Sequence, residues 1–241
     1  MPVPGLVWNV AETAAHLVAE LKIYDGIVRG IVHPRDDTAR LAGPRVAEPC
    51  VAATATHLTH FTERDVSRLA DMLVPAVDDF LAAASCRDED ECIVTASGRA
   101  VTVSTMTTLL LGEQLVHALD IARAVRLPWA IGRADALQVI GGCMKVMPDY
   151  VDRDRAAGLR VAYELRFPDG LRYRLLIADG TATVTPAGGP VDCWIAADPA
   201  AYLLVSHGRV SQRSQILRGR IVVGGLKPWL GFAFGRLLTG P

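Results

Sequence analysis

Within the stretch LGEQLVHALD, residues 111 to 120, a glutamate and a histidine stand four apart in a run otherwise suited to a helix core: Glu113 and His117. That spacing stacks two side chains on one helix face, one turn above the other. Neither group is cheap to bury alone, so the pair supports two kinds of role. One is structural: a surface pair, or a buried histidine that takes the carboxylate as its hydrogen-bond partner. The other is chemical: two ligands of a metal ion, with a third supplied from elsewhere in the chain. E-x-x-x-H arises often by chance, and spacing alone leaves both readings open.

Other residues with metal or nucleophile chemistry are less suggestive. His57 and His60 lie three apart in THLTHF, a helical ligand spacing, but no carboxylate or cysteine accompanies them. His33 precedes Pro34 in a polar stretch and is expected to be solvated. The five cysteines, Cys50, Cys86, Cys92, Cys143 and Cys193, form no C-x-x-C pair and are odd in number. In a chain of this size they are expected to be reduced thiols of a cytoplasmic protein.

The 241 residues allow one large domain or two ordinary ones. Apolar residues make up 51%, enough for a substantial core, and 25 basic against 26 acidic residues leave none of the basic excess of a nucleic-acid binder. The start, MPVPGLVWNV, has neither the charge nor the apolar run of a secretion signal. The most apolar segment, TMTTLLLGEQLVHALDIARAV, is broken by Glu113, His117, Asp120 and Arg123, so no membrane span is expected.

The elements that must position these groups change character near residue 155. Before it, apolar residues recur at helical spacing. A first helix starts at Asn9, with Glu12 completing a capping box, and runs toward Pro34. A second covers 62–85, with Thr62 as its cap and a kink at Pro75. A short hairpin around Ser97-Gly98 leads into the helix of Glu113 and His117, and a last helix covers about 134–148. After residue 158 the period becomes two: Val161, Tyr163, Leu165 and Phe167 fall on one face, Ala162, Glu164 and Arg166 on the other. Pro168-Asp169-Gly170 and Asp179-Gly180 are hairpin turns. Asp198 caps a helix that opens with Pro199, and a short strand and a short apolar helix follow. The expectation is an α+β chain of two domains: a helical bundle over residues 1–152 and a smaller α+β domain over 158–241 with one sheet face covered. The charged stretch VDRDRAAG, 151–158, joins them.

Three stretches in the first half, taken in order, carry a resemblance. WNVAETAAHL (8–17), GEQLVHALDIARA (112–124) and LPWAI (127–131) resemble the mycothiol-dependent maleylpyruvate isomerase family, a branch of the DinB/YfiT-like metal-binding four-helix bundles. In the second half, ADGTATV, AADPAAYLLVSHGR and LRGRIVVGG resemble a sterol-carrier-protein-2-like (SCP2-like) domain, which often follows such bundles in actinobacterial proteins.

The resemblance implies that His16, Glu113 and His117 are the three protein ligands of a divalent metal, zinc first and nickel second. Two imidazoles and one carboxylate suit zinc and leave a fourth position for a thiol or water. Asp120 either orients His117 from behind or caps a neighbouring turn. Trp8 is a packing anchor at the start of the first helix. Arg209, in the SHGR motif, is the candidate for binding an anionic substrate, set against an ordinary surface arginine. The implied chemistry is an isomerase or S-transferase in which mycothiol, ionised on the metal, attacks a small electrophile. The rival reading is a lipid- or sterol-binding protein that works through the SCP2-like domain, its bundle structural or inactive. Family members usually carry a further helix ahead of the Trp8 segment, so the bundle is expected to lack its first helix, to expose an apolar groove and to form a homodimer.

Overall fold

Asn9 begins the first helix as its sequence demands. Its Oδ1 accepts the backbone N–H groups of Ala11 and Glu12 at 2.9 and 3.1 Å, and the Glu12 carboxylate accepts the Asn9 N–H at 2.8 Å. Three otherwise unpartnered donors are thereby satisfied. The helix, α1, spans Val10–Val28. It ends well short of Pro34. Gly30 takes φ +69°, its N–H donates to Ile27 O, and the Ile31 N–H reaches back to Gly26 O at 2.8 Å. This is a Schellman ending, which glycine permits at no steric cost.

The computed structural model describes residues 1–32 and 58–239, which divide into two compact units, 1–131 and 132–239. The stretch that begins at His33 and the residue His57 lie outside the described residues. In the first unit, α2 (Val66–Ser85) and α3 (Val103–Ala124) both pack on α1. The cap of α2 is Asp65, whose carboxylate accepts Arg68 N–H at 3.0 Å, and not Thr62. An acceptor at Asp65 sits three residues before that donor, the reach a capping side chain needs. Pro75 lies inside α2 without ending it. The hairpin β1 (Cys92–Val94) and β2 (Ala100–Thr102) is antiparallel, and Thr102 at its end caps α3. No helix among the described residues is long and apolar enough to cross a membrane.

The second unit holds a five-stranded sheet in the order β5-β4-β3-β6-β7: β3 (Arg160–Arg166), β4 (Arg172–Ala178), β5 (Thr181–Pro186), β6 (Cys193–Ala197) and β7 (Ile221–Gly224). All neighbours are antiparallel except β3 and β6. The Asp179-Gly180 turn has φ +47° and +78°, the paired positive values of a tight hairpin. The expected inward face of β3 is buried: Tyr163 packs its ring 5.0 Å from Phe234, and Phe167 lies 5.1 Å from Tyr202. Tyr202 belongs to α5 (Pro199–Ser206), capped by Asp198 as its sequence suggests. The fold is therefore α+β. The helix α4 (Arg133–Val146), which the sequence groups with the bundle, falls with the sheet, because its Ile140 and Met144 enter the same core as Tyr163 and Leu165.

The other face of β3 is buried too, which alternation does not suggest. Glu164 reaches Arg166 Nε at 2.5 Å and Arg172 Nη1 at 3.8 Å, and the Arg166 guanidinium lies 4.6 Å from the Trp194 ring. Paired charges and a stacked cation let this face close over polar groups. The Trp194 ring in turn occupies the space over Gly224, where a Cβ would come within 2.1 Å of it. Gly224→Ala is therefore expected to destabilise the protein by about 1–3 kcal/mol, the usual range for overpacking. A chemical-denaturation series against the parent measures it.

Candidate metal centre

Helices α1 and α3 face each other with an unusual load for packed surfaces. From α1 come His16 and, one turn on, Glu20; from α3 come Glu113 and, one turn on, His117. Gln114 Nε2 donates to Leu17 O at 3.4 Å, tying the helices together one residue from His16 and one from Glu113. Each helix presents a His/Glu pair at i,i+4, so the two pairs meet face to face.

The donor atoms converge. His117 Nε2 is 3.3 Å and His16 Nε2 is 3.8 Å from Glu113 Oε2, and one ligand atom from each of the three residues lies within 4.8 Å of the others. No second group of this kind occurs among the described residues. Both imidazoles are buried, 4% exposed for His16 and 7% for His117. Their rings are 5.1 Å apart at a near-perpendicular angle. The separations match the roughly 3.4 Å edge of a tetrahedral shell built from bonds of about 2.1 Å, so the donor set fits a divalent ion.

The surroundings bias the charges. Burial works against a charged His117, but Asp120 and Glu113 outweigh it and hold the imidazole up to about 9. Burial likewise opposes ionised Glu113, yet His117 and His16 hold its carboxyl well below the usual range. Glu20 goes the other way. Burial, then the negative charge of Glu113, pushes it up to about 7 against the opposing pull of His16 and His117. Asp120 Oδ2 sits 3.2 Å from His117 Nδ1, on the side away from Glu113, close enough to orient the ring though off the axis of a straight hydrogen bond.

Trp8 does more than begin a helix. Residues 1–9 fold back, with Val3 N–H donating to Trp8 O and Val10 N–H to Met1 O, and this turn sets the indole 5.1 Å from the His16 ring and 6.1 Å from that of His117. It forms a wall of the site as well as a packing anchor. Arg209 belongs to the second unit. It follows α5, and its Nη1 donates to His207 O at 2.7 Å. His60, the described member of the His57/His60 pair, is exposed. Cys86, Cys92, Cys143 and Cys193 form no disulfide.

Glu20 is the residue that the sequence reading passes over. Its signal was present: HLVAE repeats, in reverse order, the four-residue spacing of Glu113 and His117.

No family model and no curated protein matches the chain. Among solved structures it is similar to a mycothiol-dependent maleylpyruvate isomerase, with a TM-score of 0.50 and 14% identity over 93% of this chain and 81% of that one. A stereoselective inverting sec-alkylsulfatase, Pisa1 from Pseudomonas sp., matches 93% of this chain at 15% identity and a TM-score of 0.39. The chain spans only 32% of that enzyme's length. The sterol carrier protein 2 like 2 of Aedes aegypti matches 44% of this chain and 100% of its own at 14% identity and a TM-score of 0.35. At such identities a likeness speaks of fold alone. The relationship to the isomerase is a distant structural one.

Proposed function

We propose that the protein is a metal-dependent thiol enzyme, in which His16, Glu113 and His117 hold a divalent ion beside a pocket for a low-molecular-weight thiol such as mycothiol and a small electrophile. The observation that carries this reading is the convergence of three donor atoms within 4.8 Å from two facing helices, both imidazoles buried. A divalent ion supplies one thing there: it lowers the pKa of a bound thiol so that the nucleophile exists at neutral pH. The chain's own residues do the rest. Asp120 fixes the orientation of His117, Glu113 contributes the negative charge that draws a cation to the site, and the Trp8 indole shields the imidazoles from water.

The test is direct. Protein loaded with zinc or nickel is mixed with mycothiol and a panel of small electrophiles, maleylpyruvate included, and both the free thiol and the electrophile are followed. Isomerisation returns the thiol, and transfer consumes it. Metal-dependent turnover of either kind, absent in His117→Ala, is the expected result. Folded, metal-loaded protein that turns over no electrophile with any thiol would overturn the thiol chemistry.

A further inference from the structure

The Glu20 carboxylate has no partner that accounts for its burial. Its side chain is 15% exposed, its Oε2 is out of solvent without a hydrogen bond, and the basic group beside it is the His16 imidazole, with Nε2 at 3.7 Å. The Glu113 carboxylate, which carries like charge, bears on it as well. Two carboxylates set among buried imidazoles, one with an unpaired oxygen, form an arrangement that a bound cation would resolve.

Geometry places that oxygen in line with the other donors. Glu20 Oε2, His16 Nε2, Glu113 Oε2 and His117 Nε2 succeed one another at 3.7, 3.8 and 3.3 Å, each step close to the roughly 3.4 Å ligand-to-ligand edge expected around a small divalent ion. Glu20 stands at the rim, beside His16 and outside the group of three mutually close donors, so its flexible end has to swing inward to complete the approach. Charge balance favours it: two carboxylates neutralise a divalent ion, and a neutral complex is the form a buried site holds at least cost.

Resting on the metal reading above, we infer that Glu20 is a fourth protein ligand, making the centre a two-histidine, two-carboxylate site. The consequence is chemical. Four protein ligands close a tetrahedral ion, whereas a six-coordinate ion keeps two positions for thiol and electrophile. The site therefore selects nickel, cobalt or manganese over a four-coordinate zinc.

Cobalt(II) is the probe. It is titrated into metal-stripped parent, Glu20→Gln and Glu113→Ala, and its visible d–d bands and its affinity against a chelator are read, with far-UV circular dichroism as the check on folding. The parent is expected to give the weak bands of a five- or six-coordinate ion. Glu20→Gln is expected to bind at least about 100-fold more weakly, since even an outer partner of a ligand is worth about 10–100-fold, and to shift toward the intense bands of a four-coordinate ion. Unchanged affinity and spectrum in folded Glu20→Gln would overturn the fourth ligand and leave the three-ligand site standing. No cobalt bound by folded parent would overturn both. X-ray absorption of the cobalt-loaded parent gives a second measurement that needs no variant: a shell of five or six light atoms is expected, and a shell of fewer than four sinks the inference.

Discussion

The parent, purified without a metal-affinity tag, is expected to carry roughly one equivalent of divalent metal, and Glu113→Ala and His117→Ala are expected to lose it, with at least about a 100-fold loss of affinity. Glu113 Oε2 lies between the two imidazoles, 3.3 Å from one and 3.8 Å from the other, so its removal takes away both a ligand and the negative charge that draws the ion. His117→Ala removes a ligand and the imidazole beside Asp120, a buried carboxylate that is 1% exposed. The measurement is metal content by mass spectrometry, backed by thermal unfolding with and without added metal. A ligand at a thousand times its dissociation constant stabilises the folded state by about 4 kcal/mol. The parent should show that upward shift and the two variants should not. Metal retained in full by both folded variants would mean that this cluster does not hold it. His16→Ala is expected to behave like His117→Ala, because its Nε2 is the donor that α1 contributes to the three.

What could be read in the sequence was local. The Asn9–Glu12 capping box, the Asp198 cap and the Asp179-Gly180 turn depend on atoms within a few residues of one another, and each took the form its spacing suggests. The Glu113–His117 pair was legible for the same reason. Its partner on α1 was not: nothing in the residues of 8–17 says that they face 113–117, and only the likeness of motif order pointed to His16. Glu20 carried the same four-residue signal from the same helix but lay beyond the motif. The grouping of α4 was hidden because an apolar stripe says that a helix is buried, not against which core. Ile140 and Met144 would serve a bundle as well as they serve the sheet. The burial of Glu164 was hidden because strand alternation separates the two faces without saying that paired charges can close the polar one.

The same cluster makes the metal-free protein expected to weaken as pH rises, the opposite of what its metal-loaded form should do. His117 is held up to about 9 in the folded chain against an ordinary 6.5. A raised pKa means that the folded state keeps a proton the unfolded state has shed, so its contribution is complete below 6.5 and is lost as pH climbs through 9. A shift of this size corresponds to roughly 2–3 kcal/mol once the strong coupling of the cluster is allowed for. Glu20, raised to about 7 from 4.5, adds a loss of the same sign at lower pH, so the decline begins near pH 4.5. Glu113, held low, acts in the reverse sense: its contribution is present above 4.5 and fades as pH falls through its folded value. In the presence of chelator, the urea midpoint should therefore be highest in mild acid and should fall through pH 9. Saturating metal should remove the fall, because a ligating imidazole must be unprotonated and rising pH clears the competing proton from His117. In metal-free His117→Gln the fall between pH 6.5 and 9 should flatten. A metal-free midpoint that stays level or rises across that interval would show that the Asp120 and Glu113 carboxylates do not hold a proton on His117, and that the cluster is already arranged as neutral ligands before any ion arrives.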